Sequence, residues 1–325
     1  MNSRGRDLSI ILGYLLLTIL AGAAFAPVLF KLGATTVGII DQFRLGGRPF
    51  GWLRKVAAES DFNRYFNRSV LIAALFGLVP TLKLLNMRWR DLGLRRDPHR
   101  LRHLGIGFLL AAGLLFQMGA CLALAGLFGI KSRMEWLPAL QTAAITAASV
   151  AVLEELVFRG MLTGLLQRSL GKWPTLLAVA SLFAILHFVQ PPPDLAIPPE
   201  SVTATSGFRL AGIIFSGFAD PETLAAEFAT LLVVGLLLGY ARMRTDSLWL
   251  PVGLHAGWVF GVFAFRGILY SSDAVKSGAC LPWIGDNLKT GLLPLAALLL
   301  TGCLLAWWLR ATLPSPPSGS RSVPN

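Results

Sequence analysis

Apolar residues fall along this chain in long blocks, separated by shorter connections that hold most of the charge. A helix needs about 17–25 mostly apolar residues to cross a bilayer. On that measure the pattern predicts spans near 8–30, 70–85, 104–130, 137–166, 174–189, 224–243, 248–265 and 288–309. The expected fold class is all-α, a polytopic membrane protein with about eight transmembrane helices. The first block follows Arg4 and Arg6 and contains A-G-A-A-F-A at 21–26, which has the small-residue character of a signal-cleavage site. Its length argues for a spanning helix instead. Segment 50–66 mixes Phe, Trp and Tyr with Arg and Lys, as a helix lying in the interface does. Segment 208–218 is apolar but short, which fits an interfacial or re-entrant helix. The tail 314–325 is rich in Pro and Ser and is expected to be disordered.

Composition agrees with this pattern. Of 325 residues 54% are hydrophobic and 14% charged, with a mean hydropathy of +0.64, too apolar for a soluble protein of this size. A net charge of +12 would point to nucleic acid in a soluble chain. Here the basic residues sit between apolar blocks, so anionic lipid headgroups and topology control are the expected partners, with no nucleic acid. The densest basic stretch, 87–103, holds six Arg in seventeen residues and is expected to face the cytoplasm. With eight spans, that puts both termini on the cytoplasmic side of a plasma membrane. Three cysteines, with no C-x-x-C, imply neither a disulfide framework nor a cysteine metal site.

The chemistry concentrates in A-V-L-E-E-L-V-F-R-G, residues 151–160. Glu154, Glu155 and Arg159 are embedded in a run that is otherwise apolar, where each charge costs about 2.5–3.5 kcal/mol on insertion scales. Glu155 and Arg159 stand i,i+4 in the favourable order, acid first. Glu154 is turned about 100° from that pair. One reading is a structural ion-pair knot of all three residues. The other is a division of labour, in which Arg159 holds Glu155 and leaves Glu154 for chemistry.

Three more polar residues lie at membrane depth: His187, Glu227 and His255. At 1.5 Å per helical residue, Glu154 lies about 16 Å, His187 about 20 Å and His255 about 12 Å from helix ends that face one side. The two imidazoles and the carboxylate can therefore meet in one layer, with Glu227 either in that cluster or apart from it. A carboxylate against an apolar wall can serve as a general base, and an imidazole can relay its proton or polarise a carbonyl. The same trio, Glu154, His187 and His255, matches a His₂Glu zinc site, although H-E-x-x-H is absent. No G-x-S-x-G nucleophile signature occurs.

Taken together, E-E-x-x-x-R (Glu154, Glu155, Arg159), F-x-x-x-H (Phe183, His187) and S-L-W-L-P-V-G-L-H ending at His255 resemble the three main motifs of the CAAX prenyl protease 2 and bacteriocin-processing family, also called CPBP or Abi. L-G-L-R-R-D-P at 92–98 is also typical of its prokaryotic members. The resemblance covers about 90–265. It divides the chain into an N-terminal membrane region at 1–90, a protease-like core at 91–268, and a last helix with tail at 269–325. It implies an intramembrane endopeptidase acting on a peptide or protein substrate. Glu154 would activate water with His187, His255 would hold the oxyanion or a divalent metal such as zinc, and Glu155, Arg159 and Phe183 would support the site. The chain departs from the family at Val259, where members often carry Asn one turn after the last histidine. An ion- or proton-coupled transporter would use the same side chains but predicts repeated halves, which this sequence lacks. A catalytically silent scaffold of the same fold is the other alternative.

Overall fold

The computed structural model describes residues 3–58, 60–94, 97–132, 136–189, 191, 195–216, 221–286, 288 and 290–312. The tail expected to be disordered, 314–325, lies outside them. The described chain is helical apart from loops and one pair of three-residue strands. It forms two compact units, neither continuous in sequence. One comprises Met1–Arg88 and Ile185–Pro221, the other Trp89–Ala184 and Glu222–Asn325.

The first unit is built on α1 (Ser3–Gln42), α2 (Arg48–Ala58), α3 (Phe62–Leu84) and α8 (Ser206–Ser216). α1 runs twelve residues beyond the expected span, and Pro27 inside it does not end it. α2 and the start of α3 occupy the stretch expected to be interfacial, and Asp61 caps α3 by accepting the Arg64 N–H at 2.9 Å. α8 is the short apolar segment expected near 208–218. It packs into a core of Ala23, Ala26, Phe62, Phe66, Leu210, Ala211 and Ile214, with Gly207 directly against the Ala23 carbonyl.

The second unit holds α4 (Arg100–Leu124), α5 (Trp136–Glu155), a π-helical segment Leu156–Leu162, α6 (Thr163–Leu170), α7 (Lys172–Leu186), α9 (Pro221–Thr245), α10 (Trp249–Ile268), the single-turn α11 (Asp273–Lys276) and α12 (Leu292–Thr312). Its centre is the α4–α10 pair. Gly253 lies on the Leu104 carbonyl, Gly107 faces Leu250, and a Cβ on Gly257 would stand 2.6 Å from the Phe108 carbonyl. Small residues here let two backbones touch, which is how helices associate where lipid removes the hydrophobic drive. Behind α10 a second layer forms from Ala111, Leu238, Ala241, Leu250, Leu254, Leu305 and Leu309. Expected span 104–130 ends early as a helix. Gly126, at φ +74°, turns the chain into strand β1 (Phe128–Ile130), which pairs antiparallel with β2 (Leu269–Ser271), Phe128 opposite Ser271.

Among the described residues, six helices are long and apolar enough to cross a membrane: Gly5–Gln42, Phe62–Leu84, Arg100–Leu124, Trp136–Leu170, Glu227–Thr245 and Leu292–Thr312. The other two expected spans correspond to α7, which has 15 residues, and α10, which has 20 but is interrupted in composition by Pro251, His255 and Arg266. Three of the expected site residues, Phe183, His187 and His255, lie on these less regular helices or just beyond them.

Candidate active site

Glu154 and Glu155 end α5, and the chain then widens into the π-helical turn Leu156–Leu162. A π-turn inside an α-helix leaves a main-chain carbonyl short of its usual donor, and such turns recur at functional sites. The buried Thr163 hydroxyl donates to the Phe158 carbonyl at 2.9 Å, on the same oxygen that accepts the Thr163 N–H. Arg159 sits inside the widened turn and is fully buried, as is Glu155.

The expected i,i+4 ion pair is present, with Arg159 Nη1 3.0 Å from Glu155 Oε1. A buried guanidinium needs more than one acceptor. Arg159 Nη2 donates to the Gly235 carbonyl on α9 at 3.3 Å. Gly235 lies against Ala180 of α7, so the absence of a side chain lets α9 approach. The flat face of Arg159 stacks on Phe183, Cζ 4.4 Å from the ring centre, and a desolvated cation over an aromatic face is worth about 2 kcal/mol. Phe183 is itself buried and meets the Phe158 ring edge-on at 5.2 Å. Glu155, Arg159 and Phe183 thus form one support in which α7, α9 and the π-turn converge.

His255, on the second turn of α10, is 4% exposed. Its Nδ1 lies 2.9 Å from Glu155 Oε1, and its Nε2 lies 3.8 Å from Glu154 Oε2. The ring therefore spans the 100° step between adjacent glutamates, one nitrogen toward each. A carboxylate only accepts, so the contact with Glu155 places the proton on Nδ1 and leaves Nε2 as the nitrogen that faces Glu154. Phe183 closes one side of the imidazole, edge-on at 6.0 Å. Glu154 is the most open of the group, its side chain 21% exposed against 6% for His255 and none for Glu155.

His187 follows the last residue of α7 in a turn and is half-buried; it belongs to the first compact unit. Glu227 accepts a hydrogen bond from Thr290 Oγ1 at 3.0 Å. It lies about 12 Å along α9 from Gly235, at 1.5 Å per residue. Val259 is half-buried one turn beyond His255. Of the three residues expected to hold zinc, Glu154 and His255 face each other at 3.8 Å in the second unit, and His187 belongs to the first. Among the described residues no group of three His, Cys, Asp or Glu side chains is placed to hold a metal ion.

Sequence spacing did not reveal the roles of Gly235, Thr163 and Phe158. The only trace of Gly235 is a small residue interrupting L-L-V-V-G-L-L-L.

Against known proteins, no curated protein and no solved structure matches the chain. Residues 136–261 match the family model described as type II CAAX prenyl endopeptidase Rce1-like. That stretch contains Glu154, Glu155, Arg159, Phe183, His187, His255 and Val259. With six apolar helices of spanning length, the protein is an integral membrane protein. Its residues 136–261 form an Rce1-like domain of the CAAX protease family, also called CPBP or Abi.

Proposed function

We propose that this protein is an intramembrane endopeptidase in which Glu154 and His255 activate water against a peptide bond. The observation that carries this reading is the imidazole set between two glutamates, Nδ1 at 2.9 Å from Glu155 and Nε2 at 3.8 Å from Glu154. Glu155 fixes the tautomer and the ring plane. Nε2 and the Glu154 carboxylate then flank one small volume that a water molecule can share. Attack of that water on the carbonyl carbon passes its proton to Glu154, and the bond to the amine nitrogen breaks as Glu154 returns the proton to the leaving amine. Nε2, protonated from solvent before the attack, donates a hydrogen bond to the developing oxyanion and keeps its proton throughout. The family pattern names His187 as a further imidazole of the reaction.

The substrate is a peptide or protein segment that reaches the site from within the bilayer. The family description supports a chain ending in a prenylated cysteine motif. A plasma membrane location with both termini cytoplasmic, and anionic lipids around the basic connections, complete the proposal.

The test is cleavage of a prenylated and an unprenylated membrane peptide by purified protein in one detergent. Wild type should cleave at least one of them, and Glu154→Gln, which keeps the shape and removes the base, should not. Equal background cleavage by both proteins would leave a silent scaffold as the function of the fold.

A further inference from the structure

The two helices that carry the site are joined by a segment outside residues 136–261. A 3₁₀ turn, Trp89–Leu92, leads into Gly93. Leu92 is fully buried and packs on the π-turn, where a Cβ on Gly160 would stand 3.2 Å from its own Cβ. Gly93 adopts φ +84°, and its carbonyl accepts the Leu248 N–H at 3.1 Å, at the threshold of α10. Its Cα face lies on the buried Arg242 guanidinium, since a Cβ there would be 2.7 Å from Cζ. Arg242 is held in turn by Asp246, Nη1 to Oδ1 at 2.8 Å. A side chain at 93 therefore meets both a backbone penalty and a steric one.

Four residues on, Asp97 accepts the His99 N–H at 2.7 Å and faces His103 Nδ1 at 2.8 Å. It also takes a hydrogen bond from Ser247, whose own oxygen accepts the Trp249 N–H at 3.3 Å. Trp249 is the first residue of α10. Residues 89–94 and 97–103 thus touch the π-turn at Leu92, the last turn of α9 at Arg242, and the α9–α10 connection at Ser247 and Leu248. The glycines of α4 and α10 set how close those helices come. The Gly93 carbonyl, and Asp97 through Ser247, meet the N-terminal end of α10.

We propose that residues 89–94 and 97–103 are a clasp that fixes α10 against the π-turn and so sets the spacing between Glu154 and His255, with Gly93 and Asp97 as positioning residues. The proposal rests on the reading of that pair as the active site. A displacement of about 1 Å between reacting groups can cost about 10²-fold in rate, so such a clasp acts on turnover while leaving substrate affinity alone.

The experiment is hydrogen–deuterium exchange on the full-length protein in detergent, comparing wild type with Asp97→Asn and with the milder Ser247→Ala. Both variants should lose protection together at 156–162 and 249–255, by about tenfold or more, while α12 keeps its protection. Exchange that rises only at 93–103, or rises equally in α12, overturns the clasp. Cleavage kinetics give a second reading: kcat falls by about 10- to 100-fold with KM unchanged. A fall in the amount of folded enzyme with kcat per folded molecule unchanged overturns the clasp as well. If wild type does not cleave, the protease reading fails, and the exchange pattern still decides whether the clasp exists.

Discussion

Glu155 gives one carboxylate oxygen, Oε1, both to Arg159 on the next turn and to His255 one hundred residues later, at 3.0 and 2.9 Å. One atom therefore joins the buried ion pair to the imidazole, and the two expected roles of the glutamates overlap. Glu155 neutralises Arg159 and also orients His255.

Glu155→Gln should impair both roles. An unpaired buried guanidinium costs about 3–5 kcal/mol, so the yield of folded protein falls. Turnover of the folded fraction should fall by about 10²-fold or more through loss of ring orientation. The double variant Glu155→Gln with Arg159→Met removes both charges and should recover folded yield without recovering turnover. Recovery of both would show that Glu155 serves Arg159 alone.

Phe183 should matter through the face it offers to Arg159. Phe183→Leu keeps an apolar side chain but loses the stacked cation, worth about 2 kcal/mol in a desolvated setting. The expected result is a lower thermal midpoint in detergent together with reduced turnover. Phe158 meets Phe183 edge-on, with Arg159 Cζ farther from its ring at 5.7 Å, so Phe158→Leu should lower the midpoint less.

Val259 lies one turn after His255, so the two share a helix face. Val259→Asn should place a second donor beside the developing oxyanion and raise turnover, since one such donor typically contributes about 10²–10³ in rate. Comparison of kcat for wild type and Val259→Asn on one membrane peptide measures this. An unchanged or lower kcat with an intact fold would mean that residue 259 does not face the reacting carbonyl.

Asp97 carries the pH dependence of the clasp. Burial works to raise its pKa, but hydrogen bonds from the His99 backbone, His103 and Ser247 outweigh it and hold the carboxyl below the ordinary aspartate value. A depressed carboxylate contributes stability above the unfolded value, about 3.9, and loses it as pH falls through the lower folded value. Wild type should therefore exceed Asp97→Asn in thermal midpoint at pH 5–8, and the gap should close in stronger acid. A gap that persists there would assign the effect to the shape of the side chain.

The local arrangement of this protein was legible in its sequence because membrane helices obey local rules. Twenty apolar residues must span, and an acid four residues before a base on one helix must meet it. On that basis the long helices and the Glu155–Arg159 pair could be read directly. Tertiary structure decided the rest. The π-turn after Glu155 has no signature in L-V-F-R-G-M-L and persists because Leu92, Phe183 and Gly235 pack around it. That His255 lies between the two glutamates depends on how α10 docks on α5 and α4, through glycine contacts that no spacing along one helix encodes. The three-residue strands and the turn at Gly93 are likewise too short to carry a periodic signal. Hydrophobic periodicity specifies which side chains leave water. Which polar atoms then meet is settled by contacts between residues far apart in sequence, where a shift of an ångström makes or breaks a hydrogen bond.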